Sequence, residues 1–304
     1  MEQRIKYKRS TGDIFYDTII YLIIFFAIII TLYPFIHVLS LSVSNFDQVL
    51  KGKVYLLPKG FTLDAYKIVV SEKGIWRAYL NTIVYTSIST VFVVTFTFMA
   101  AFPLTRKDYI FKKIMTSLFL IPMFISGGLI PSFILIKKLH LYDTMWSVIL
   151  PGIISTWNIV LVRTYIQGNI HENLLEAARI DGMNDIGILF KIVVPLCKPI
   201  LAVIALYTIV GHWNAYFNVM IYIPSREKQT LQLYLMRVLL RNSDILSNAQ
   251  NQLASAHGNE SMSMLAGMQL KYALIIFVIA PIIMVYPFLQ KYFIQGVMIG
   301  ALKG

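Results

Sequence analysis

Glu176 to Pro195 reads EAARIDGMNDIGILFKIVVP, and it lies between two long apolar segments of a very apolar chain. Glu176, Arg179, Asp181, Asp185 and Lys191 forbid it to sit in lipid as it stands. It is also too apolar for a slack linker. His171 to Ile180 is rich in helix formers, with Asn169 expected to cap its start and Glu172 favouring the positive end of its dipole. Asp181-Gly182 signals a sharp turn, because glycine accepts positive φ without steric cost. Asn184 then caps a second short helix with Ile186, Leu189, Phe190 and Val193 on its apolar side. Pro195 and Pro199 restrict the chain beyond it. The stretch therefore predicts two helices around one turn. Ala177 and Ala178 leave a flat spot that another surface can approach, and Glu176 offers an acceptor beside it. These residues suit a docking knob, and equally an amphipathic loop resting on its own domain.

Working outward, the chain of 304 residues is 57% hydrophobic and 14% charged, against roughly half and a quarter in soluble domains. The apolar residues come in blocks. A spanning helix needs ~20 of them, and six segments qualify: Ile14–Ser42, Leu80–Leu104, Ile114–Ile136, Trp146–Val162, Pro199–Ile223 and Tyr272–Phe293. The expected fold is an all-α integral membrane protein of six transmembrane helices. Residues 1–13 form an N-terminal cytoplasmic segment and 14–304 one six-span domain. Within it lie an external loop at 44–78, a cytoplasmic loop at 169–196 and an external or re-entrant loop at 224–271. The basic start (Arg4, Lys6, Lys8, Arg9) precedes an apolar run too long for a signal peptide, so the first span is expected to be retained. Arg106, Lys107, Lys112 and Lys113 crowd the connection after the second span, and loop cations of this kind place both termini and the Glu176 loop in the cytoplasm. The cations of the first external loop, Lys51 to Arg77, blur that signal. They read as a solvated surface, or as an attraction for an acidic partner or anionic sugars.

Several classes are excluded. The net charge of +12 is scattered over loops without any nucleic-acid motif. Cys197 is the one cysteine, so no internal disulfide or thiolate metal site is expected. No G-x-x-x-x-G-K-[ST], H-E-x-x-H or G-x-S-x-G pattern occurs, and no catalytic residue is expected. Asn259-Glu260-Ser261 matches a chance sequon. In the fifth span, Tyr207, Gly211, Asn214 and Asn218 form one stripe, with Thr208, His212 and Tyr216 beside it and Trp213 adjoining. Polar groups in a span face a cavity or bond between helices, and both readings stand for this stripe. Ser126-Gly127-Gly128, between Pro122 and Pro131, marks a kink in the third span or close helix packing. Leu231–Leu240 reads as an interfacial or re-entrant helix.

Glu176-Ala177-Ala178, Asp181-Gly182, Phe190, Ile192 and Pro195 together resemble the EAA loop of ABC-importer permeases. Gln290 to Gly304, QKYFIQGVMIGALKG, is similar to the ending of the carbohydrate-uptake branch, the maltose-type inner permeases. Tyr286-Pro287-Phe288 and Trp213-Asn214 resemble its complex-oligosaccharide subgroup. Met183 departs from the alanine common in relatives, and HENLLEAA lacks their Pro-rich lead-in. The resemblance implies a type I importer permease in a bacterial inner membrane, moving an oligosaccharide, acidic and polysaccharide-derived in one version. It implies that Glu176, Ala177, Ala178, Asp181, Gly182, Phe190 and Pro195 couple to a separate ATPase. The implied partners are a second homologous permease, two ATPase subunits holding ATP and Mg, and an extracytoplasmic sugar-binding protein. This chain itself would hold no cofactor and no metal. The competing classes are an ion-coupled secondary transporter, an ABC permease for a non-sugar solute, and a scaffold or receptor without transport.

Overall fold

The computed structural model describes residues 11–240, 270–285 and 287. The described residues are helical or loop, and they cluster into two units, residues 11–71 with 270–277 and residues 72–240 with those from 278 onward.

In the first unit, α1 (Thr11–Ser42) is apolar on every face, and its most apolar window has mean hydropathy 2.7. Such a helix suits lipid or the gap between other helices. Its end is tied to the following loop by hydroxyls. Ser40 Oγ donates to Leu56 O at 2.6 Å, Ser44 Oγ accepts from Lys59 N at 3.1 Å, and Ser42 Oγ meets Tyr66 Oη at 2.8 Å. Two short helices follow, α2 (Phe46–Leu50) and α3 (Asp64–Ser71).

The second unit is built round α4 (Lys73–Thr105), a single helix of 33 residues. Thr82, Thr86, Ser89, Val93 and Thr97 recur along it at steps of three and four and are buried, which puts them on one face. Small hydroxyl residues there let neighbouring helices approach closely. After it in this unit come α5 (Lys112–Phe124), α6 (Leu129–Lys138), α7 (Trp146–Gly152), α8 (Thr156–Asn169), α9 (Glu172–Ile180), α10 (Asp185–Leu196), α11 (Lys198–Trp213), α12 (Phe217–Tyr222) and α13 (Leu231–Leu240), then the part of α14 (Leu270–Val285) from Val278 onward. The two units divide within α14.

Two of the expected spans, α1 and α4, are unbroken, and counting each bent helix pair as one span gives up to five among the described residues. The third expected span bends by 118° between α5 and α6. Gly128 has φ +80, and a Cβ on Gly127 or Gly128 would touch nothing within 4 Å. The two glycines thus serve a break in the helix, not close packing. The fourth bends by 46° after Pro151, between α7 and α8. The fifth ends early, at Trp213, and α12 begins anew at Phe217. Leu231–Leu240 is helical as expected, and Leu231, Leu233 and Leu235 are buried, which covers opposite faces of its first turns. The sixth span is described only to Val285, so Tyr286, Phe288, the 290–304 ending, the basic start and the sequon lie outside the described residues.

The two ends of α4 do different work. Its first turns hold the segment before α13. Arg77 Nη2 meets Glu227 Oε2 at 2.9 Å, Asn81 Nδ2 donates to Glu227 O and Gln229 O, and Leu231 N donates to Thr82 Oγ1 at 2.8 Å. Its last turns pack on α8 and on the loop that carries Glu176.

Candidate coupling loop and translocation cavity

α9 begins at Glu172, with His171 at the N-cap making no side-chain cap bond. Asn169, expected to cap it, instead closes α8 and donates from Nδ2 to Tyr165 O at 2.9 Å. The chain extends for Ile170 and His171 before re-entering a helix, so the cap position falls two residues later. Gly182 turns with φ +82. Asn184 caps α10 as expected, accepting from Gly187 N at 2.7 Å. Leu189–Val193 winds as a π turn just before Pro195. Proline has no N–H and its ring crowds the preceding turn, so a widened turn relieves the ladder there. An 85° bend then leads from α10 into α11.

The loop has two faces. Leu175 and Ala178 of α9, with Ile188, Leu189 and Val193 of α10, are buried with Phe98, Ala101 and Phe102 of α4 and Ile159, Val162 and Ile166 of α8. Met183 packs on the same cluster. Outward lie Glu176, Ala177, Asp181, Gly182, Ile186 and Phe190, with Ile180 87% exposed. The two alanines therefore part company. Ala178, 5% exposed, sits in the core, and Ala177 alone leaves the flat spot. One residue turns a helix by 100°, enough to separate them. Leu189 and Val193 likewise face inward, away from Ile186 and Phe190.

Charge pairs fix α9 at both ends. Lys107 Nζ lies 2.5 Å from Glu172 Oε2, and Asp108 Oδ2 accepts from Arg179 Nη1 at 2.8 Å. Arg179 also donates to Asp185 Oδ1, from Nη2 at 2.8 Å and Nε at 3.2 Å, which bridges the turn between α9 and α10. The Arg179 hydrogen bond holds the Asp108 carboxyl below its ordinary range, and the two carboxylates raise the guanidinium in turn. The Glu172 hydrogen bond raises Lys107. Sequence reading missed Lys107 and Asp108 as parts of this site. The one signal was that Arg179 has two acids within a helical turn, Glu176 and Asp181, and the structure pairs it with neither.

A second feature is a cavity of about 790 Å³ between α4, α6, α7, α8, α11 and α12. Tyr207, Gly211, His212 and Asn218 of the expected stripe line it, as does Thr208. Trp213, Asn214 and Tyr216 do not. Trp213 Nε1 donates to Val278 O at 3.2 Å, with its ring edge-on to Tyr79. Asn214 caps α11 and donates to Val210 O at 2.9 Å. Tyr216 packs with Val148, Val219 and Tyr222. The stripe assumed one continuous helix, and the break after Trp213 resets the register. The sequence reading did not include Trp157 and Asn158 of α8, nor Ser132 and Ser147, which line the same cavity. The run Thr156-Trp157-Asn158 inside an apolar block was the available signal.

Residues 93–299 match the family described as the binding-protein-dependent transport system inner membrane component. The chain belongs to that family. This permease is 36% identical to the polygalacturonan/rhamnogalacturonan transport system permease protein YtcP of Bacillus subtilis, over 95% of the chain and 98% of YtcP. It is 28% identical to the arabinooligosaccharides transport system permease protein AraQ of Halalkalibacterium halodurans, over 92% of the chain and 94% of AraQ. Its fold is similar, with TM-score 0.83 and 30% identity over 95% of the chain, to the whole of one chain in the crystal structure of a bacterial ABC transporter involved in the import of the acidic polysaccharide alginate. The permease thus has the all-α fold of type I ABC importers, with its third and fourth expected spans bent.

Proposed function

We propose that this permease is one of two homologous membrane subunits of an ATP-driven importer for acidic, polysaccharide-derived oligosaccharides. It works in a bacterial inner membrane with both termini in the cytoplasm. Two ATPase subunits bind ATP and Mg and seat the Glu176 loop. An extracytoplasmic binding protein delivers the sugar.

The observation that carries this reading is the two-faced loop. Glu176, Ala177, Ile180, Ile186 and Phe190 are exposed, while Leu175, Ala178, Ile188, Leu189 and Val193 are rooted in the core shared by α4, α8 and α11. A handle whose back is part of the core passes displacement to the helices as a rigid body. No chemistry in this chain is required. Two similar permeases belong to systems named for polygalacturonan/rhamnogalacturonan and arabinooligosaccharides, and the similar fold to an importer of alginate. The cavity suits that cargo. Trp157 and Tyr207 offer faces for sugar rings, while Asn158, Asn218 and Thr208 offer hydrogen bonds to hydroxyls. Among the described residues, its lining contains no Asp or Glu to repel a uronate.

The test is uptake of labelled oligogalacturonides into vesicles bearing the full transporter, with and without ATP. Glu176→Lys and Gly182→Pro are expected to abolish ATP-driven uptake while the protein stays in the membrane. Normal uptake by both variants, or uptake driven by an ion gradient alone, would refute the proposal.

A further inference from the structure

A cleft of about 380 Å³ opens where α4 ends and α9 begins. Arg106, Lys107, Lys112, Gln167, His171 and Glu172 line it, over an apolar floor from α8 and α9. Arg106 is the residue that needs explaining. Its side chain is only 9% exposed, yet Nε and Nη1 are buried without a hydrogen-bond partner. Asp108 Oδ1 is 3.5 Å from Nε, and the other oxygen of that carboxylate is already taken by Arg179. A buried cation with idle donors is strongly unfavourable unless an acceptor completes it.

The surroundings mostly supply more donors. Lys112 Nζ donates to Arg106 O at 3.1 Å, which fixes the ammonium at the cleft. Glu172, the one carboxylate of the lining, is engaged by Lys107. The first turn of α9 meets the same cleft, and its N-cap residue provides no side-chain acceptor. Helix N-termini with orphan N–H groups favour oxyanions. Three cations line the cleft with Glu172, and the Asp108 carboxylate beside Arg106 is shared with Arg179, so positive charge still exceeds negative there.

We infer that this cleft binds a phosphate group. A guanidinium fork, an ammonium and a helix N-terminus together match a tetrahedral oxyanion with several lone pairs. The headgroup phosphate of an anionic phospholipid and aqueous phosphate share that chemistry, and the lipid is the expected source. The cleft sits where the apolar stretch of α4 stops at Leu104 and the cations of the next connection begin, which is the level of lipid headgroups. Ile166, Ile170 and Leu175 at its floor suit the apolar part of such a molecule.

The experiment uses the full chain with its accompanying subunits in nanodiscs. One set holds phosphatidylcholine alone, a second adds phosphatidylglycerol, and a third holds phosphatidylcholine with radiolabelled inorganic phosphate. Retained phosphatidylglycerol is counted by native mass spectrometry after release, and phosphate by scintillation proximity. Wild type is expected to retain phosphatidylglycerol, with retention roughly tenfold or more weaker in Arg106→Gln. Lys191→Gln, a cation outside the cleft, is expected to leave it unchanged. Phosphate captured in the third set, and lost in Arg106→Gln, would support the same site with the aqueous ion as its ligand. Should Arg106→Gln not assemble, Lys112→Gln provides the same comparison. Equal binding by wild type and both cleft variants, for lipid and for phosphate, would overturn the inference. The readout is binding, so it stands apart from whether the sugar assignment holds.

Discussion

Arg179 Nη1 donates to Asp108 Oδ2 at 2.8 Å across 71 residues of chain. The residue before Asp108, Lys107, holds Glu172 at the other end of α9. Two consecutive residues just beyond α4 thus grip both ends of the helix that presents Glu176. The acid is at the N-terminus of α9 and the base at its C-terminus, so each also suits the helix dipole. The buried core seats α9, and the pairs set its orientation against the end of α4.

Asp108→Asn should therefore weaken coupling more than stability. The pair is solvent-accessible, with Asp108 57% and Arg179 37% exposed, and such pairs contribute only about 0.2–1 kcal/mol. Thermal unfolding is expected to shift slightly, while sugar moved per ATP hydrolysed falls severalfold. The folded carboxyl titrates below its ordinary 3.8. Its contribution is complete above that value and is lost as pH falls through the lower folded one. The stability difference between wild type and Asp108→Asn should thus be constant at neutral pH and shrink only below pH 3.8. A difference that shrinks around neutrality would contradict the assignment.

At Gly182 the constraint is the backbone alone. Its φ is +82, and a Cβ there would meet nothing within 4 Å. Left-handed φ costs an ordinary L-residue about 1–2 kcal/mol, while Asn adopts it more readily. ATP-driven uptake should fall in the order Gly, Asn, Ala, Val at this position. Full activity in Gly182→Val would show that the turn is free to rearrange.

Which parts of this were legible in the sequence follows from locality. The turn at Gly182 and the cap at Asn184 depend on neighbours within a few residues, and both stand where the residues indicated. The helix break at Gly127-Gly128 was visible as one of two readings. By contrast, the burial of Ala178 beside exposed Ala177 depends on how α9 rolls against α4 and α8. Lys107 and Asp108 pair with partners about 70 residues away, which no local pattern encodes. The error at Asn214 and Tyr216 is of another kind. Helical periodicity was extended through a run that contains no proline or glycine after Gly211, yet the helix stops at Trp213. That ring is held by Val278 O, a tertiary contact that overrides the local preference.

Gly211 offers a direct test of the cavity. A Cβ at this position would touch nothing within 4 Å, and the residue lines the large cavity. Gly211→Ala should transport normally and gain helix propensity of nearly 1 kcal/mol. Gly211→Trp should fold, keep ATPase activity and lose uptake, because the side chain occupies the space. Asn218→Ala should raise the sugar concentration for half-maximal uptake roughly fivefold or more, the value of one lost neutral hydrogen bond. Asn214→Ala, outside the cavity, should not change it. Equal effects at Asn214 and Asn218 would place the cargo elsewhere.

Asp143 makes a final, purely structural test. It sits at φ 58, unusual for a side chain other than Gly, Asn or Asp. Its carboxylate accepts from Ser225 Oγ at 2.6 Å, Ser225 N at 3.2 Å and Lys228 Nζ at 2.9 Å. Its own N–H donates to Tyr222 O at 2.8 Å, so one residue fastens the segment between α6 and α7 to the chain after α12. The Ser225 hydrogen bonds and then Lys228 hold its pKa below 3.8, and its side chain is only 26% exposed. Asp143→Asn keeps the backbone preference and most hydrogen bonds, and should cost about 1–2 kcal/mol. Asp143→Ala loses the bonds and adds left-handed strain, so its cost should exceed that of Asn by about 1–3 kcal/mol. By the linkage sign, wild type's advantage over Asp143→Asn is present above pH 3.8 and fades as acid protonates the folded carboxyl. Melting curves of both variants at neutral and acid pH decide it, and an Ala variant as stable as Asn would show that Asp143 does not fasten these two segments.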